Sequence, residues 1–121
     1  MKQMLLIGLG GFLGSISRYG VHVLSQKWVS NFPIGTLLVN LVGSLLIGFL
    51  IGFSIKSDQP IYWFVAIGFC GAFTTFSTFA LEGVNFIKNG LWLPFMGYFS
   101  ISVVGGLVVC FLGIWVGSKL V

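Results

Sequence analysis

Gly71-Ala72-Phe73-Thr74-Thr75-Phe76-Ser77-Thr78-Phe79 sets four hydroxyl side chains and three phenylalanines inside a long apolar segment, with no charge among them. A helix crossing lipid gains nothing from so many hydroxyls unless they meet something polar, because an unmet polar group in hydrocarbon costs free energy. The run falls where a bilayer would be thickest, and it predicts the functional centre of a small membrane channel. Two backbones suit it. An unwound turn flanked by Gly71 and Thr74 would free carbonyls able to hold a cation such as Na+. An unbroken helix would instead turn its hydroxyls back onto carbonyls one turn earlier. The spacing fits both.

The 121-residue chain around this run is 57% hydrophobic and 7% charged, with a mean hydropathy of +1.09. No water-soluble fold of this size hides so much apolar surface. A spanning helix needs roughly 20 apolar residues. Four such helices fit, at about residues 3–23, 34–55, 61–87 and 91–118, and they consume nearly the whole chain. The expected class is therefore an all-α membrane protein with one transmembrane domain, 1–121. Lys27 with Ser30-Asn31-Phe32-Pro33, then Lys56 to Pro60, then Lys88-Asn89-Gly90 form the connections. Short connections make successive helices antiparallel neighbours. Lys2 and the apolar residues after it imitate a secretory leader. The segment is Gly-rich, outruns a short h-region and lacks a small-x-small cleavage site, so it reads as the first span.

The net charge of +4 comes from basic residues scattered singly, which gives nucleic-acid binding no support. Lys2, Lys56 and Lys119 fall on the membrane face that holds both termini, and Arg18, Lys27 and Lys88 fall toward the other. Orientation normally follows a Lys/Arg excess on the cytoplasmic side. Here the two faces balance, which permits insertion both ways up and an antiparallel, dual-topology homodimer. A weak bias set by Arg18 or by the first helix would give a single orientation instead. Eighteen glycines include Gly10/Gly14, Ser44/Gly48/Gly52 and Gly113/Gly117, a small-xxx-small spacing that brings membrane helices close, within one chain or between chains. Cys70 and Cys110 sit singly in apolar segments and read as small hydrophobes.

Polar residues form stripes. Thr36, Asn40 and Ser44 share one face of the second helix. Tyr98 and Ser102 lie one turn apart on the fourth, followed on the same line by Gly106 and Cys110. Ser15, Arg18 and His22 line one side of the first. Arg18 near a membrane end snorkels to the interface or draws anions into a vestibule. Glu82 is expected to be solvated or paired with a basic residue. Polar groups in a membrane turn inward, toward partners or water. These stripes offer neutral donors with no mid-membrane acid, and that suits an anion held weakly enough to be released. Phe76 and Phe79, at i and i+3, can share a face and present the positive edges of their rings. The same spacing also serves plain packing.

Taken together, Gly11-Phe12-Leu13-Gly14-Ser15-Ile16-Ser17-Arg18-Tyr19, Gly35-Thr36-Leu37-Leu38-Val39-Asn40 with Gly43-Ser44, and Gly68-Phe69-Cys70-Gly71 through Thr74-Thr75-Phe76-Ser77-Thr78-Phe79 with Glu82 resemble the Fluc (CrcB) family of fluoride channels along essentially the whole chain. The resemblance implies a dual-topology homodimer with two antiparallel pores and a third helix broken at its centre. It implies a fluoride path lined by Asn40, Phe76, Phe79 and Ser102, with Thr36, Thr75 and Tyr98 nearby. It implies a vestibule arginine at Arg18 and a structural, untransported Na+ held by the carbonyls of Gly71 and Thr74 from both subunits. In function it implies passive loss of cytoplasmic fluoride across the cell membrane. One position departs from the pattern: Gly106 stands where some relatives carry a second serine. Fluoride comes from the resemblance; composition does not separate it from chloride.

Two rivals have distinct needs. A small four-helix multidrug exporter of dual topology requires a membrane-embedded acid for proton coupling, and the first helix has none. A purely structural subunit has no use for hydroxyls aligned on three helices. Catalysis has no nucleophile–base pair or metal cluster to stand on.

Overall fold

Four runs long and apolar enough to cross a bilayer fold as helices, Lys2–Gln26, Ile34–Gly52, Tyr62–Lys88 and Trp92–Ser118, in a computed structural model that describes all 121 residues. The first two are α1 (Lys2–Gln26) and α2 (Ile34–Gly52). The third span opens with a π-helical stretch, Tyr62–Cys70, passes through α3 (Gly71–Phe73), and resumes after Thr74-Thr75 as α4 (Phe76–Lys88). The fourth joins α5 (Trp92–Ser100) to α6 (Gly106–Ser118) through a second π-helical stretch, Ile101–Gly105. The wider π winding is rare and recurs at functional sites. Both stretches here border the residues of the candidate site.

Local chemistry sets the ends. α2 stops at Gly52 rather than running on to Ile55, because Ser54 adopts a left-handed φ of 61° ahead of the polar Lys56–Pro60 loop. α4 closes with Gly90 at φ 68°. There the Gly90 N–H donates to the Ile87 carbonyl at 3.0 Å and the Leu91 N–H to that of Phe86 at 2.9 Å. This is the Schellman ending that a glycine just past a helix favours, and it turns the chain straight into α5.

The glycine sets act within the chain. α2 packs chiefly on α6, and α1 on the Tyr62–Cys70 stretch and α3. A Cβ on Gly48 or Gly52 would run into the backbone of Cys110 or Ile114, and one on Gly113 or Gly117 into that of Leu45 or Phe49. The two sets therefore interlock backbone to backbone. Gly10 and Gly14 meet the Phe64 and Phe69 carbonyls in the same way. Such approach lets dispersion and packing replace the hydrophobic drive that lipid removes. The core is correspondingly slight. Leu37, Phe86 and Tyr98 form its centre, with Phe32, Phe79 and Phe95 against them, while most large apolar side chains face outward, the arrangement expected of a lipid-facing surface.

Candidate functional site

The helical trace of the third span is interrupted at its midpoint. Thr74 (φ −83°, ψ 157°) and Thr75 (φ −149°, ψ 119°) are both extended. The hydroxyl run divides into tasks around them. The Thr74 N–H and hydroxyl both donate to the Cys70 carbonyl, at 3.1 and 2.9 Å, and so finish the upstream helix. Thr75 is the N-cap of α4: its Oγ1 accepts from the Thr78 N–H at 3.3 Å and donates to the Thr78 hydroxyl at 3.0 Å. A β-region Thr accepting from the third residue on is a favoured N-cap geometry. One side of the sequence alternative survives in Thr74, which does bond back to i−4, while its neighbour caps a new helix.

Asn40 spans the interruption. Its Oδ1 accepts from the Thr75 N–H at 2.8 Å, and its Nδ2 donates to the Thr75 carbonyl at 3.1 Å. One side chain thus meets both main-chain groups of a residue that no helix serves. An amide carries two N–H donors, so Asn40 keeps one beyond this clamp. Neither the Gly71 nor the Thr74 carbonyl receives a turn, loop or cap hydrogen bond. Gly71 is exposed, with open space where a Cβ would sit. Asn40, Ser44, Cys70, Gly71, Thr74 and Thr75 line a cleft of about 490 Å³. The Thr74 carbonyl, outside any helix, accepts no hydrogen bond, and with the exposed Gly71 backbone it would offer oxygen ligands of the kind a hard monovalent cation takes. No His, Cys, Asp or Glu cluster suits a transition metal.

Glu82 departs from expectation. It is half-buried, neither free in water nor paired with a basic side chain. Oε1 accepts from the Thr36 hydroxyl at 2.8 Å and Oε2 from the Tyr98 hydroxyl at 2.6 Å. Both donors are fully buried, at 0% exposure. Charge-assisted hydrogen bonds of this kind are the strong ones, and here they tie α2, α4 and α5 together. Sequence reasoning missed the link because the three residues are far apart in the chain. The signal was the polar face of α2, where Thr36 lies one turn before Asn40 and requires a partner across from it.

The other expected residues lie on both sides of this frame. Phe76 is 79% exposed, and its ring centroid lies 5.8 Å from that of Phe79. Phe79 leans on Tyr98 at 5.2 Å and on Phe99 at 6.2 Å. The Ser102 Oγ is closed off from solvent and has no hydrogen-bond partner. Arg18 is half-buried, one turn before His22. His22 lines a second cleft of about 390 Å³ with Glu82, Asn31, Asn85 and Asn89 at the far end of α4.

Four apolar spans, with the extended residues Thr74 and Thr75 inside the third and uncharged donors around them, are the arrangement of an all-helical, multi-pass membrane protein. The chain belongs to the CrcB family: the profile described as CrcB-like protein, Camphor Resistance (CrcB), matches residues 5–114. A protein of Leptospira interrogans named fluoride-specific ion channel FluC is 44% identical, over 94% of this chain and 93% of its own. Proteins of the same name from Phocaeicola vulgatus (42% identical, 98% of this chain, 100% of its own) and Dehalococcoides mccartyi (41%, 99% and 95%) are similar over the same extent.

Proposed function

We propose that this chain is a fluoride-selective channel subunit of the cell membrane, not an enzyme, through which cytoplasmic fluoride leaves the cell down its gradient. The observation that carries this reading is the near end-to-end similarity, at 38–44% identity, to proteins named fluoride-specific ion channels. The donor set of the site is consistent with it. The N–H that Asn40 does not spend on Thr75 and the buried, unpartnered Ser102 hydroxyl are among the uncommitted donors, and in this reading they replace water on a small anion. The edges of Phe76 and Phe79 flank the same passage. Thr36 and Tyr98 spend their hydroxyl hydrogens on hydrogen bonds to Glu82, so their part is to hold that carboxylate aside. Thr75 holds the shape of the break, and Arg18 raises the anion concentration at the mouth.

A second copy of the chain, inserted the other way up, completes the channel in this proposal. Extended backbone at mid-membrane depth is tolerated only where protein or water covers it, and the cleft beside Thr74 and Thr75 opens to the outside of a single chain. The even split of Lys and Arg between the two faces is compatible with both orientations. The carbonyls of Gly71 and Thr74, with the same pair from the second copy, would hold a Na+ that is not transported. Such an ion supplies positive charge that fixes the break and the two copies together.

The reading is tested with purified protein in liposomes and a fluoride-selective electrode. Fluoride efflux far above chloride efflux is the expected result. Equal rates for the two halides remove the selectivity. Flux that needs a proton gradient and ignores the fluoride gradient favours an exporter instead.

A further inference from the structure

Most span hydroxyls are already committed. Ser15, Ser25, Thr74 and Ser118 bond back to carbonyls three or four residues earlier, at 2.8 to 3.0 Å. Thr75 caps α4, and Thr36 holds Glu82. Ser17, Ser44, Ser100 and Ser102 do neither; Ser100 is exposed, and Ser17 does not line the cleft beside the break. Ser44 is half-buried on α2, one turn past Asn40, and lines the same cleft as Asn40, Thr74 and Thr75. Its hydroxyl is not turned back onto its own helix, the usual resting place for a serine in lipid. A hydroxyl left uncommitted at this depth costs free energy unless water or an ion meets it.

The fourth span explains where that hydroxyl faces. One turn beyond Ser102 the chain has Gly106, with no side chain to offer. The nearest atom to a Cβ placed on Gly106 is the Ser44 Oγ, at 3.9 Å. The space that Gly106 leaves open is therefore overlooked by a donor from α2. We propose that Ser44 is a fluoride-contacting residue, supplying at the level of Gly106 the hydrogen bond that the fourth span lacks. The passage then runs from Asn40 and Ser102 to a hydroxyl contributed across the α2–α6 contact. This inference rests on the fluoride-channel reading above.

Ser44→Ala, Gly106→Ser and the double variant, in liposomes, test it. Ser44→Ala is expected to lower fluoride efflux about tenfold, the factor for one lost hydrogen bond to an ion. Adding Gly106→Ser to Ser44→Ala is expected to restore efflux, because the hydroxyl returns to the same space from the other helix. Gel-filtration profile and thermal midpoint should match the unsubstituted protein throughout. Unchanged efflux in Ser44→Ala overturns the inference. So does a loss that Gly106→Ser fails to rescue, or one accompanied by an altered Na+ dependence, which would assign Ser44 to packing or to the cation site. If the unsubstituted protein passes no fluoride, the channel reading itself falls; if it conducts and is indifferent to Ser44→Ala, only the inference does.

Discussion

Asn40 combines two demands in one amide. It satisfies the N–H and the carbonyl of Thr75, which sit outside any helix, and it retains a second N–H, the donor that the proposed channel turns to fluoride. Asn40→Ala should leave both Thr75 groups unmet at a cost of about 1–3 kcal/mol each. A clear drop in the unfolding midpoint in detergent, together with lost efflux, is the expected outcome; an unaltered midpoint would mean that the break holds itself. The sequence marked Asn40 through its stripe with Thr36 and Ser44, since helical periodicity says which residues share a face. It did not say what that face meets. The pairing of Asn40 with Thr75 crosses 35 residues, and that of Thr36 with Glu82 crosses 46. Glu82 was misread for this reason: an acid near a membrane end suggests water or a lysine, whereas here two buried hydroxyls neutralise its need for solvent.

At the scale of elements, the interrupted third span positions the two rings unequally. Phe79 packs on Tyr98 and Phe99, whereas Phe76 is largely uncovered. Phe76→Ile and Phe79→Ile should both cut fluoride efflux, with Phe79→Ile also lowering the unfolding midpoint and Phe76→Ile leaving it nearly unchanged. Wild-type efflux in both variants would return the rings to packing alone. The helices themselves were legible from length and apolarity, and the glycine spacing announced close approach. Which sets meet was not legible. Gly48 and Gly52 against Gly113 and Gly117 is one of several pairings that small-xxx-small spacing allows. The end of α2 at Gly52 was hidden as well, because Phe53, Ser54 and Ile55 continue the apolar run while Ser54 turns left-handed.

For the whole molecule, the proposed pairing of two oppositely inserted copies accounts for a polar cleft open at mid-span and for a charge balance that favours neither face. If Na+ occupies the proposed site, replacing it by a much larger monovalent cation should disable efflux, because the carbonyls of Gly71 and Thr74 would then lack an ion they fit; full activity without Na+ would contradict the site. Tags placed at one terminus should be accessible from both sides of the membrane, and access from a single side would remove dual insertion. In the proposed channel, uncharged donors from several helices strip and hold one small halide in particular. Fluoride and chloride efflux from liposomes containing the purified protein, recorded side by side under equal gradients, is the most direct measurement of that preference. Rapid fluoride loss with chloride retained is predicted, and chloride leaving as fast as fluoride would contradict it.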